Sequence, residues 1–308
     1  MLGRTGRRDS LAALGAAWDA GITLYDTARS YGYGESEGLL GEFFAGERRR
    51  QAVLCTKFGI LPAGKNWKQR VKPLAQAAVK VFPGLRAAAR RQAAGQMVVG
   101  NFSVELLRTS LETSLRALRT DYVDMLLMHA APESVLEQDD LLEALERLVE
   151  AGKVRMAGIS GEADVIAASF ARKPRALKTA QFAMNVMHMD LATETEKAAL
   201  DGWVLVANHP FGGPEGVGEC RRRISALRED PELPRELREK LQPDEQLIAE
   251  IVLNLILRGT GVHAVIPAMM QLDHLRGNVR AVEQCRFTDE ELQRLRVALG
   301  AENAARTI

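Results

Sequence analysis

The stretch Gly21-Ile22-Thr23-Leu24-Tyr25-Asp26-Thr27-Ala28-Arg29-Ser30-Tyr31-Gly32-Tyr33-Gly34-Glu35-Ser36-Glu37 decides the fold. Its first part, Ile22–Thr27, is a short apolar and β-branched run of the kind buried in a parallel sheet. The chain then passes through a loop carrying Tyr31 and a glycine-rich turn, and enters a helical pattern at Ser36. A strand that feeds a loop and then a helix is half of a βαβ unit. Similar runs recur at Val53–Phe58, Tyr122–His129, Met156–Ser160, Thr179–Asn185, Trp203–Asn208 and Ala264–Pro267. Helical stretches lie around and between them: Ser10–Ala20, with Ser10 as N-cap and Gly21 as stop; Ser36–Ala45; Ser103–Leu118; Asp139–Ala151, ending at Gly152; and Asp244–Leu257. The alternation predicts an α/β fold. Seven strands are readable, and nothing ahead of the helix at Ser10 reads as an eighth. Pattern alone leaves two architectures open: an eight-stranded barrel lacking its N-terminal first strand, and a doubly wound sheet that needs no closure.

Working outward, the whole chain has 308 residues, 46% of them hydrophobic, enough for one large core and within the size of an α/β barrel. Lys and Arg number 41 against 40 Asp and Glu, so no global charge draws the protein to nucleic acid or to a membrane surface. The three cysteines, Cys55, Cys220 and Cys285, are an odd set without zinc spacing. They argue against a disulfide framework and a structural metal, and fit reduced thiols in the cytoplasm. No apolar run reaches membrane-spanning length, and the basic start has no hydrophobic stretch behind it, so no secretory signal is expected.

Two stretches break the rhythm and read as insertions on the barrel's loops, near residues 60–100 and 212–245. The first carries Lys65, Lys68, Arg70, Lys72, Lys80, Arg86, Arg90 and Arg91 and no acidic residue. It reads as a solvated, helical lid, or else as a patch recruiting an anionic substrate, a phosphate or an acidic membrane surface. Its aromatics, Trp67 and Phe82, are too sparse for stacking on nucleic acid. The second mixes both charges around Pro231, Pro234 and Pro243.

In a barrel the C-terminal strand ends surround the active site. Asp26 ends the first run, and Lys57 stands near the end of the second. A lysine inside an apolar strand needs a counter-charge, and Asp26 on the neighbouring strand is the natural one. His129 ends the third run. Three successive strand ends thus offer a carboxylate, an amine and an imidazole, with the Tyr31 phenol beside them. Singly, each residue has a bland reading: a buried ion pair, a loop aromatic, a satisfied histidine.

The segments DTARSYGYGESEGLLG (26–41), TKFG (56–59), DYVDMLLMH (121–129) and VIPA (265–268) resemble the aldo-keto reductase family, over about Leu11 to Leu299. The resemblance implies a (β/α)8 TIM barrel and a catalytic tetrad of Asp26, Tyr31, Lys57 and His129. It implies an oxidoreductase that reduces an aldehyde or ketone to an alcohol with NAD(P)H. Tyr31 is the general acid; a phenol of ordinary pKa near ~10 is too weak an acid at neutral pH, and the Lys57 ammonium is expected to lower it. Asp26 holds Lys57, and His129 hydrogen-bonds and orients the substrate carbonyl.

The same resemblance implies cofactor positions. Ser160 and Gln181 match residues that hold the nicotinamide carboxamide, although Gly161 replaces the usual Asn. Asn208, Pro210, Phe211 and Gly212 match the stretch that stacks on nicotinamide and lines the pyrophosphate, with Asn208 in place of the stacking aromatic. Asn278 matches an adenine contact. Ala268, Met269 and His274 stand where the family places its 2′-phosphate ligands; His274 is a weak candidate and Arg276 a substitute. NADP, with NAD as the other candidate, is therefore implied by the family. No metal is expected, and the substrate is a small carbonyl compound. The rival reading keeps the barrel without turnover, as a cofactor-binding or interaction module. A metal-dependent hydrolase fails because no ligand cluster occurs at the strand ends.

Overall fold

Short strands bounded by glycine and polar turns dictate the architecture. The computed structural model describes residues 6–62, 97–99, 102–189, 191–269 and 271–305. Helix α1 (Arg7–Asp19) leads into β1 (Leu24–Asp26), α2 (Ser36–Phe43) and β2 (Val53–Phe58). A small antiparallel pair follows, β3 (Ile60–Pro62) and β4 (Met97–Val99). Then come α3 (Val104–Leu118), β5 (Val123–His129), α4 (Asp139–Glu150), β6 (Val154–Ser160), α5 (Ala163–Arg172), β7 (Thr179–Ala183), α6 (Ala192–Leu200) and β8 (Val204–Asn208). The last part holds α7 (Gly213–Glu229), α8 (Arg235–Lys240), α9 (Leu247–Gly259), β9 (Ala264–Ile266), α10 (Leu272–Glu283) and α11 (Asp289–Ala305).

The seven long-range strands form one parallel sheet in the order β1-β2-β5-β6-β7-β8-β9. That sheet is curled. In a flat sheet β1 and β7, four strands apart, would be separated by roughly 19 Å. Yet the amide of Gln181 on β7 donates to the carboxylate of Asp26 on β1 at 2.9 Å. The doubly wound alternative is thereby excluded, and the architecture is a nearly closed α/β barrel. Among the described residues β1 and β9 do not pair with each other, and no strand lies between them. Residues 1–5, the start of the chain where a first strand is expected to be missing, lie outside the described residues. Helices α1 and α10 meet over this seam.

Alternation along each strand sorts the interior. Leu24, Val53, Cys55, Met125, Leu127, Met156, Val204, Val206 and Ala264 fill the barrel with apolar volume. The opposite faces pack beneath the helices, in a larger cluster that includes Leu54, Leu126, Ala157, Leu205, Leu111 and Ile251. Gly41 lets α2 press on α3: a Cβ there would come within 2.2 Å of the Ala117 carbonyl oxygen. Ser103 caps α3 by accepting from the Leu106 amide at 3.2 Å.

The strand ends are shorter than the sequence patterns. The ladder around β1 begins with the Val53 amide on the Thr23 carbonyl, so Ile22 lies outside it. Asn185 belongs to a turn, bridging His188, rather than to β7. Of the basic stretch 60–100, only β3 and β4 fall within the described residues. The segment 212–245 is helical where its prolines allow: Pro214 sits in the first turn of α7, and Pro234 precedes α8. Helices α5, α6, α10 and α11 were not legible as separate units.

Candidate active site

The period-two rule that packs the barrel also builds its mouth. On β1, Asp26 follows Leu24; on β2, Lys57 follows Val53 and Cys55; on β5, His129 follows Met125 and Leu127. Ser160 and Asn208 end β6 and β8 in the same way, and Gln181 stands at the middle of β7. Register aligns these positions: His129 pairs with Ser160, Ser160 with Gln181, and Asn208 with Ile266. The result is a ring of polar groups above an apolar plug, interrupted at β9, where Ile266 takes the place.

Lys57 is fully buried, and its Nζ donates to Asp26 Oδ1 at 2.5 Å and to the Thr27 carbonyl at 2.9 Å. The same Asp26 oxygen accepts from Gln181 Nε2. Burial by itself would pull the Lys57 ammonium down, but Asp26, with Tyr31 and Cys55, holds it above the usual lysine range. The Cys55 thiol lies against Asp26 and is pushed well up, first by burial and then by that carboxylate. It is therefore an uncharged neighbour.

Tyr31 begins a 3-10 turn, Tyr31–Gly34, directly after the β1 loop. Its ring lies 4.9 Å from Lys57 Nζ and edge-on to the His129 ring, centroids 5.7 Å apart. The sequence led to a phenol made more acidic by Lys57. The net direction is the reverse: burial raises the Tyr31 pKa, and Lys57 offsets only part of the rise. The phenol is thus protonated at neutral pH, as a proton donor must be. His129 is pulled down to about 4, by burial first and by the Lys57 charge second, so its imidazole is neutral. Its Nδ1 is buried and has no hydrogen-bond partner among the described residues.

A cavity of about 290 Å³ opens beside this group. Asp26, Tyr31, Gln181, Asn208 and His209 line its polar side, and α1, the end of β9 and Leu275 of α10 line the apolar side. A second cavity of about 260 Å³ shares Ile22, Pro267 and Met269 with it and reaches Asn278.

The structure therefore brings Asp26, Tyr31, Lys57, His129, Ser160 and Gln181 together and sets Asn208 on the cavity wall. Ser160 Oγ donates to Gln181 Oε1 at 3.2 Å, so the Gln181 amide is engaged at both ends. Pro210, Phe211 and Gly212 follow β8 outside the lining of the first cavity, Gly212 with φ 61° at the start of α7. His274 is exposed on α10 and lines neither cavity.

Three neighbours escaped the sequence. Cys55 was signalled by its two-residue offset from Lys57. Ser36 lines the cavity and accepts from the Thr27 hydroxyl at 2.8 Å. His209 reaches the cavity with a positive φ of 50°, a backbone state no motif announces. Among the described residues no His, Cys, Asp and Glu group is arranged to hold a metal, and no helix is long and apolar enough to cross a membrane.

The sequence profile of the Aldo/keto reductase family matches residues 2–299. The aldo-keto reductase YhdN of Bacillus subtilis (strain 168) is 30% identical over 161 residues, covering 52% of this chain and 39% of the relative. A 6-dehydroglucose reductase of Novosphingobium aromaticivorans is 30% identical over 216 residues, covering 67% of this chain and 60% of the relative. Both alignments thus span less than two thirds of the relative's length. In structure, the holo form of aldo-keto reductase AKR11C1 from Bacillus halodurans superposes with a TM-score of 0.64 at 22% identity, over 96% of this chain and 88% of the neighbour.

Proposed function

The chain belongs to the aldo/keto reductase family, and from that premise we propose that it reduces an aldehyde or ketone to the alcohol with NAD(P)H, Tyr31 giving the proton. The observation that carries this reading is the meeting of Asp26, Lys57, Tyr31 and His129 at one barrel mouth beside a cavity. The cavity and the amide and hydroxyl groups at its rim suit a nicotinamide: Ser160, Gln181 and Asn208 would hold it, with Pro210, Phe211, Gly212, His274 and Asn278 as the further contacts. Reduced nicotinamide, when bound, supplies the hydride.

The protein's own groups do the rest. As the carbonyl carbon receives hydride, its oxygen gains charge; Tyr31 moves its phenolic proton onto that oxygen, and the Lys57 ammonium stabilises the phenolate left behind. Asp26 keeps Lys57 charged and in place. The neutral His129 orients the carbonyl by a hydrogen bond, and solvent returns the proton to Tyr31. We place the protein in the cytoplasm, with a small carbonyl compound as substrate and NADP, or NAD, as cofactor. Apolar Ala268 and Met269 leave the choice between the two to binding measurements.

A second reading, a barrel that holds cofactor without turnover, draws on the open seam between β1 and β9 and on the engagement of Gln181 with Asp26. One experiment separates the two. Tryptophan fluorescence is titrated with NADPH and NADH, and carbonyl reduction is then assayed in wild type and Tyr31→Phe. Reduction by wild type, lost in the variant with cofactor binding retained, supports the enzyme. Reduction that persists in Tyr31→Phe removes Tyr31 as the acid. Binding without turnover of any carbonyl favours the second reading.

A further inference from the structure

Glu37 plays no part in the scheme above and does not line the cavity, yet it is a carboxyl only 4% exposed. Burying such a group is costly unless its hydrogen bonds are met. Here they are: Thr56 Oγ1 donates to Glu37 Oε1 at 2.7 Å, and Ser114 of α3 supplies a second hydrogen bond. The positive charge that acts on it is Arg29, which itself donates to Ser110 of α3 at 3.4 Å. Burial moves the Glu37 pKa up, against these hydrogen bonds and Arg29.

Thr56 immediately precedes Lys57, and Thr27 immediately follows Asp26. By strand alternation their side chains face away from the barrel interior, back to back with the ion pair. Both grip the first turn of α2: Thr27 through Ser36 at 2.8 Å, Thr56 through Glu37 at 2.7 Å. The loop bearing Tyr31 runs between these anchors, from Thr27 to Ser36. The geometry points to Glu37 as a positioning residue that fixes the Tyr31 loop against β2 and thereby sets the phenol over Lys57. This rests on the proposed role of Tyr31.

The test uses the full chain carrying tyrosine labelled with carbon-13 at Cζ, whose resonance follows phenol ionisation; Tyr31→Phe assigns the Tyr31 signal. Glu37→Leu deletes the acceptor, Glu37→Gln keeps one, and Thr56→Val removes the donor with little change in volume. We expect the Tyr31 titration to move in Glu37→Leu and Thr56→Val by about one pH unit, a tenfold change in the balance of its two forms. It should return most of the way in Glu37→Gln. With a carbonyl substrate, kcat should fall roughly tenfold and KM little. An unmoved Tyr31 titration in folded Glu37→Leu, with only a lowered melting temperature, overturns the inference. If that variant does not fold, Thr56→Val decides by the same readout. Because the resonance needs no turnover, a protein that reduces no carbonyl still tests the role of Glu37, while the enzyme reading fails separately.

Discussion

Acid should weaken this fold through the imidazole of His129. In the folded protein His129 is held near pKa 4 against an ordinary 6.5, because burial and the Lys57 charge both oppose its protonation. A histidine depressed on folding costs the native state stability wherever the unfolded chain has taken up a proton and the native state has not. The cost is absent above 6.5 and grows as pH falls from 6.5 to about 4. At ~1.4 kcal/mol per pH unit, that interval is worth roughly 3 kcal/mol. The assay is urea unfolding at a series of pH values across this window, for wild type and His129→Asn. Carboxylates change the slope of both curves, so the difference between them isolates His129. Wild type should lose roughly 3 kcal/mol more than the variant over the window. Parallel curves would mean that His129 binds its proton normally in the folded state, and the argument for a neutral imidazole at the mouth would fall.

Lys57→Met leaves the buried Asp26 with Gln181 in place of its cation, and should cost about 3–5 kcal/mol in chemical denaturation. The double variant Asp26→Asn/Lys57→Met should recover a substantial part of that loss, and a strictly additive double variant would deny the pairing. The same lysine substitution should raise the His129 titration followed by proton NMR, since it removes the second cause of its depression. Gly41→Ala places a methyl 2.2 Å from a backbone oxygen and 2.6 Å from a backbone carbon, neither free to yield cheaply. It should cost about 1–3 kcal/mol, read from the shift of the urea midpoint; an unchanged midpoint would show that α2 has room to retreat from α3.

Much of the mouth was legible because strand alternation is a local rule. Once Asp26, Lys57 and His129 sit at strand ends, the two-residue period puts them on the interior face, and the described structure meets them there. The seven parallel strands were legible for the same reason: continuous apolar runs have few other homes. Curvature was not legible in the apolar pattern, since it is a property of the sheet as a whole; the family resemblance implied it, and the Gln181 to Asp26 bond displays it. The sign of the Tyr31 pKa was misread because sequence names the neighbour, Lys57, but not the degree of burial that outweighs it. Glu37 passed unnoticed because its partners, Thr56 and Ser114, are far apart in sequence and chemically modest. His274 stands exposed on α10, off both cavities, so its place in a motif is the signal that proposes it as a cofactor contact.

Among the described residues the facing flanks of β1 and β9 are unpaired, and this has a mechanical meaning. A closed barrel behaves as a hoop: pushing one stave strains every hydrogen-bonded joint around the ring. Cut at one joint, the same ring is a spring clip, stiff along its body and compliant at its jaws. Here the jaws are the strand that ends in Asp26 and the strand that ends in Ile266, and the latch across them is side-chain packing between α1 and α10. Packing slides more readily than a ladder of backbone hydrogen bonds. Among the described residues a soft coordinate therefore passes through the lip of the pocket, and whatever fills that pocket stiffens the clip from within.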